Sequence, residues 1–158
     1  MGYKKILYIG GGIALIALLM KGNKAFAALT PNQQLRGCDP LGCGHFGAPR
    51  GTRTHQGIDI IATPGQDILS PITGKVNRIA YPYASDMSYK RLEIENEQYT
   101  VKIFYIAPAV PVGSVVMAGS KIAVAQNISA KHGASMINHV HIEVRNALGK
   151  LIDPTTLF

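Results

Sequence analysis

Beyond residue 56 the chain is built from short runs in which apolar and polar residues alternate. The clearest are Leu92-Glu93-Ile94-Glu95 and Val101-Lys102-Ile103, and a strand-like texture marks 57–62, 74–80, 91–95, 99–106, 121–125 and 139–145. Successive side chains of a strand point to opposite faces, so each run predicts a strand with a buried side and a solvated one. Glu95-Asn96-Glu97-Gln98 lies between two of them and predicts a hairpin turn. Glycine and proline punctuate the rest, at Pro64-Gly65, Pro71, Gly74, Pro108, Pro111, Gly113 and Gly119. No long amphipathic helical pattern interrupts this region. The expectation is a mainly β domain whose antiparallel sheets form an open groove.

The N-terminus has a different texture. Residues 6–20 are uncharged and almost wholly apolar, with Lys4 and Lys5 before them and Lys21 and Lys24 after. This predicts a membrane helix or signal segment within residues 1–24, and two readings stand. The shortness of the run and the small-x-small pattern Ala25-Phe26-Ala27 favour a cleaved signal peptide. The lysines that follow, which can snorkel and lengthen the span, favour a retained anchor, the reading preferred here. Either way the rest of the chain is delivered across a membrane, into a periplasm, onto a cell or viral surface, or into the medium. Residues 25–37 are polar and aperiodic and read as a linker, which leaves 38–158 as one domain.

Size and charge narrow the class. With 158 residues and 47% hydrophobic content, one packed core is within reach. Removing the four lysines around the apolar run leaves twelve basic against nine acidic residues, a net +3 that suits approach to an anionic wall or membrane. Scattered basic residues, no Trp and no nucleic-acid motif argue against a nucleic-acid partner. Cys38 and Cys43 are the only cysteines. No second cysteine pair completes a zinc site, and an export segment lies upstream, so they read as a disulfide closing Asp39-Pro40-Leu41-Gly42.

Three of the five histidines fall in two short motifs, His55-Gln56-Gly57-Ile58-Asp59 and His139-Val140-His141. Catalytic zinc takes three protein ligands, commonly imidazoles with a carboxylate, and leaves the fourth position to water. Two imidazoles and Asp59 meet that need with one imidazole to spare. On a strand, His139 and His141 share a face, so one can bind the metal while the other stands beside it. Glu143, two residues further on that face, is a candidate for orienting a ligand imidazole.

These motifs, with His45-Phe46-Gly47, Pro71-Ile72-Thr73-Gly74-Lys75-Val76, Gly133-Ala134-Ser135 and Asp153-Pro154, resemble the lysostaphin-type zinc endopeptidases, peptidase family M23, over about residues 44–155. The resemblance implies a LytM-like duplicated hybrid motif fold and one zinc ion on His55, Asp59 and His141. It makes His139 the catalytic imidazole and peptidoglycan cross-links the substrate. A wall-lytic domain on one anchor also suits a membrane-containing bacterial virus. The family's middle strand carries Tyr-x-His, and the matching Phe104-Tyr105-Ile106-Ala107 has Ala107 at that histidine. Losing an oxyanion donor costs about 10²- to 10³-fold in turnover. Tyr105, on the face expected for position 107, and His45 and His132 in loops are the candidate substitutes. The strings around Cys38–Cys43, His55–Asp59, Val101–Pro108 and His139–Glu143 further resemble the chemotaxin two branch of this fold, which implies the alternative of a non-hydrolytic zinc-containing binding module.

Overall fold

The computed structural model describes residues 25–158. The segment expected to meet the membrane, 1–24, lies outside the described residues. Among the described residues no helix is long and apolar enough to cross a membrane.

Two short ribbons come first, β1 (Cys38–Asp39) with β2 (Gly42–Cys43) and β3 (Pro49–Arg50) with β4 (Arg53–Thr54). There follow β5 (Ile58–Ile61), β6 (Asp67–Leu69), β7 (Gly74–Ala80), β8 (Arg91–Glu95) and β9 (Tyr99–Phe104). The chain continues through β10 (Ile106–Pro108), β11 (Val115–Val116), β12 (Lys121–Ala125) and the one-turn helix α1 (Ser129–His132). It closes with β13 (His139–Asn146) and β14 (Leu151–Ile152). A seven-stranded antiparallel sheet runs in the order β11-β7-β8-β9-β13-β14, with β5 also paired to β13. A second sheet of three strands has the order β10-β12-β6.

Alternation places the core as expected. Leu92, Ile94, Val101 and Ile103 are fully buried, while their neighbours Glu93 and Lys102 turn to the other side. The predicted turn forms: Asn96 Oδ1 accepts from the backbone N–H groups of Gln98 and Tyr99 and closes the β8–β9 hairpin. The strand β13, like its partner β5, is covered on both faces. Val140, Ile142 and Val144 enter the core, and His139 and His141 are also buried, on the opposite face. One edge of β13 pairs with β9; the other is shared, β5 against residues 139–142 and β14 against 144–145.

Two expectations are corrected. Residues 25–37 are not a loose linker. Phe26 and Leu29 are buried in the core, and Phe26 meets Tyr99 and Phe158 edge-on at 5.1 and 5.5 Å. Backbone hydrogen bonds from Phe26 to Leu157, Ala27 to Pro71 and Arg36 to Asp59 hold this segment along the sheets. Its polarity misled because two apolar anchors and loop hydrogen bonds suffice to dock a segment without periodicity. The run 99–106 is likewise not one strand. It breaks at Tyr105, whose φ of 64° is the one positive value at a non-glycine among the described residues, and the chain passes from the large sheet to the small one. Phe26→Ala is expected to destabilise the fold by about 3–5 kcal/mol in urea unfolding, as for a buried aromatic; a linker residue would cost almost nothing.

Candidate metal centre and its cleft

The register between β5 and β13 assembles the centre. Asp59 stands directly opposite His141, and His139 lies opposite Ile61. Side chains directly opposite on an antiparallel pair share a face, so Asp59, His139 and His141 converge while Ile58 and Ile60 pack into the core. His55 arrives from the turn before β5. Gly57 makes that approach feasible: a Cβ there would lie 2.0 Å from the Ile142 carbonyl oxygen and 2.8 Å from His141 Cε1.

Three atoms face one point. His55 Nε2 and His141 Nδ1 are 2.9 Å apart, His141 Nδ1 and Asp59 Oδ1 are 2.9 Å apart, and His55 Nε2 and Asp59 Oδ1 are 3.2 Å apart. Donors at tetrahedral zinc distances would stand about 3.3 Å from one another, so this set fits such an ion with shifts of a few tenths of an ångström. His55, Asp59 and His141 thus form a group able to hold a metal.

The outward atoms are also engaged. His55 Nδ1 donates to the His45 carbonyl at 2.9 Å, which orients the ring so that Nε2 faces inward. His141 Nε2 lies 3.4 Å from Glu143 Oε1, so Glu143 contacts the His141 imidazole. His139 Nδ1 donates to the Ile137 carbonyl at 2.7 Å, leaving Nε2 unprotonated and 3.7 Å from Asp59 Oδ2. It stands beside the three-donor group without joining it.

Sequence reasoning missed Arg36, which no local pattern marks. Its guanidinium donates to Asp59 Oδ2 through Nε at 3.1 Å and Nη2 at 2.8 Å, and through Nη1 to Asp39 at 2.6 Å. Asp39 sits in the β1–β2 ribbon closed by the Cys38–Cys43 disulfide, and it also accepts from the Ile137 backbone N–H at 3.1 Å. The disulfide ribbon is thereby tied to Asp59 through Arg36 and to His139 through Ile137.

Burial opposes ionisation of Asp59. Hydrogen bonds from His141 and His55 and the charges of His139 and His141 outweigh it and hold the carboxyl well below its usual range. Burial likewise disfavours the His141 cation, but hydrogen bonds to Asp59 and Glu143 raise its pKa overall. His139 moves the other way, because burial dominates the pull of Asp59.

The group opens into a cleft of about 470 Å³. One wall is aromatic: Tyr105 lies edge-on to His139 at 5.7 Å and stacks on Tyr83, whose hydroxyl bonds His132 Nε2 at 2.8 Å. Burial raises the pKa of both tyrosines and keeps their hydroxyls protonated. Of the expected substitutes for the missing histidine, Tyr105 reaches the site, His132 lines the cleft behind Tyr83, and His45 contributes its backbone carbonyl. Ala107 pairs with Val124 in the small sheet, so the break at Tyr105 undoes the shared face expected for 105 and 107.

Residues 53–154 match the model of peptidase family M23, and the chain belongs to this family. It is 30% identical over 132 residues to bovine (Bos taurus) leukocyte cell-derived chemotaxin-2, covering 82% of this chain and 86% of that protein. Its fold is similar to a zinc-containing peptidase from Vibrio cholerae, with a TM-score of 0.51 and 24% identity over 82% of this chain and 36% of that one. It is also similar to the catalytic domain of the prophage-encoded M23 protein EnpA from Enterococcus faecalis, solved as an alanine-to-histidine mutant. There the TM-score is 0.58 at 22% identity, over 84% of this chain and 97% of that one. The chain spans about a third of the Vibrio protein's length.

Two outcomes are expected of this centre. Arg36→Ala leaves the buried Asp59 and Asp39 without their cation and should cost about 3–5 kcal/mol in chemical denaturation. Because the His141 pKa is raised and a metal needs its neutral imidazole, a proton competes with the ion. Metal affinity in chelator competition should therefore rise with pH until the raised pKa of His141 is passed, and Glu143→Gln should shift that rise to lower pH.

Proposed function

We propose that this chain is a zinc metalloendopeptidase that hydrolyses peptide cross-links of bacterial peptidoglycan, with His55, Asp59 and His141 holding one ion. The observation that carries the reading is a three-donor cluster beside an unengaged basic nitrogen, His139 Nε2, in one cleft. A zinc ion bound there supplies Lewis acidity and a water acidic enough to react near pH 7. The chain's own groups do the rest. The His45 carbonyl and Glu143 hold the two ligand imidazoles so that their donor atoms face inward. His139 takes a proton from the attacking water at Nε2 and returns it to the leaving amine; its lowered pKa keeps that nitrogen free at neutral pH. The Tyr105 hydroxyl is the donor to the developing oxyanion, the role left open by Ala107.

Membership of family M23 and the similarity to peptidases support the activity. The domain works outside the cytoplasm, anchored through residues 1–24 at a cell or viral surface. The Cys38–Cys43 disulfide supports an oxidising compartment. The burial of Phe26 supports retention of the N-terminal segment, because cleavage after Ala27 would remove a core side chain.

Zinc-loaded protein should release new amino groups from purified peptidoglycan. His139→Ala should lower that rate by about 10²- to 10⁴-fold with zinc still bound, whereas His141→Ala should lose the metal. Zinc-loaded wild type that releases none would leave a non-hydrolytic binding module.

A further inference from the structure

The ribbon β3–β4 forms the cleft rim beside the disulfide and carries a charge arrangement that the fold does not explain. Its register places Arg50 directly opposite Arg53, so two guanidinium side chains leave the same face of a two-stranded ribbon. Like charges placed directly opposite one another are destabilising, and neither arginine has a carboxylate partner among the described residues. Both line the cleft that contains the three-donor group.

Arg50 is held in place. Its Nη2 donates to the Cys43 carbonyl at 2.6 Å and its Nη1 to the Pro49 carbonyl at 3.1 Å. Gly42 makes room for it: the residue has φ 121°, and a Cβ there would come within 2.5 Å of Arg50 Nη1. Arg53 is exposed and has no such anchor, but its charge reaches across to Tyr105 and opposes the rise in that hydroxyl's pKa. Elsewhere on the cleft the charges cancel. Arg36 is spent on Asp59 and Asp39, and Glu143 lies against His141. A divalent ion would make the cleft more cationic still.

We infer that Arg50 and Arg53 form a subsite for a carboxylate of the bound peptide, so that the substrate is an acidic peptide with its anionic group close to the scissile bond. The inference rests on the peptidase reading above. Paired planar guanidiniums suit a carboxylate, which can accept parallel hydrogen bonds from their N–H groups. An anion between them would also relieve their mutual repulsion. Arg50, fixed by backbone carbonyls, presents a preset donor, and Arg53 closes on the anion from the solvent side.

The test is binding, measured calorimetrically with the full zinc-loaded chain in non-ionic detergent. The probes are glycine-alanine hexapeptides with a reduced, uncleavable central bond and either Glu or Gln beside it, placed on one side and then on the other. The expected result is at least about tenfold tighter binding of one Glu peptide than of its Gln twin, shrinking as salt rises. Arg53→Gln should remove most of that preference, and Arg50→Gln with Arg53→Gln all of it. Equal affinity of wild type for Glu and Gln peptides, or a preference that survives Arg53→Gln, overturns the subsite and leaves the peptidase reading standing. Failure of every peptide to bind also overturns the subsite, while amino-group release from peptidoglycan decides the peptidase reading separately.

Discussion

A buried carboxylate organises this molecule. Asp59 is 2% exposed, and an isolated charge so far from water would be expelled or neutralised. It persists because each oxygen is met: Oδ2 by the Arg36 guanidinium, Oδ1 by His55 and His141. That requirement fixes the positions of elements far apart in sequence. Arg36 draws the N-terminal segment against β5, and through Asp39 it secures the disulfide ribbon. His141 commits β13 to a single register, since a slip of one residue would put both of its histidines into the core.

The two faces of β13 explain how one strand serves fold and chemistry together. Val140, Ile142 and Val144 supply the apolar contacts that hold the strand in the large sheet, between β9 and the edge formed by β5 and β14. Their register partners on β5 and β9 then set the height of His139 and His141 to within the tolerance that a metal needs. The site is placed by the core beneath it. Precision of this kind comes from rigid elements whose rotamers are locked by packing, and the outward hydrogen bonds to His45, Ile137 and Glu143 add the rest.

Around this rigid floor stand walls of different character. The aromatic side, with Tyr83 and Tyr105, owes its position to the backbone reversal at Tyr105, where the chain leaves one sheet for the other. The opposite rim is a short cationic ribbon beside the disulfide. The cleft thus carries protonated phenols, guanidiniums and an imidazole beside the three-donor group at its floor, interleaved with the apolar Leu41, Phe104 and Met136.

Much of this was legible in the chain. Period-two alternation marked β7, β8, β9 and β13 because each has one side against the core, and the two histidine motifs announced a metal group because few other roles call for that spacing. Glu143 followed from strand geometry alone. Arg36 was invisible: its importance lies in a partner 23 residues away, and only the packed structure brings them together. The docking of Phe26 and Leu29 was hidden for a related reason, since two anchors leave no period to detect. The break at Tyr105 escaped because a β-rich run does not reveal a change of sheet, and that change decides that Tyr105 rather than residue 107 faces the site. Local sequence determined which residues could be strands and ligands, since both are set by near-neighbour chemistry. Tertiary structure alone decided which charges compensate one another and which side chains meet in the cleft, because those depend on distances between elements that the order of residues does not contain.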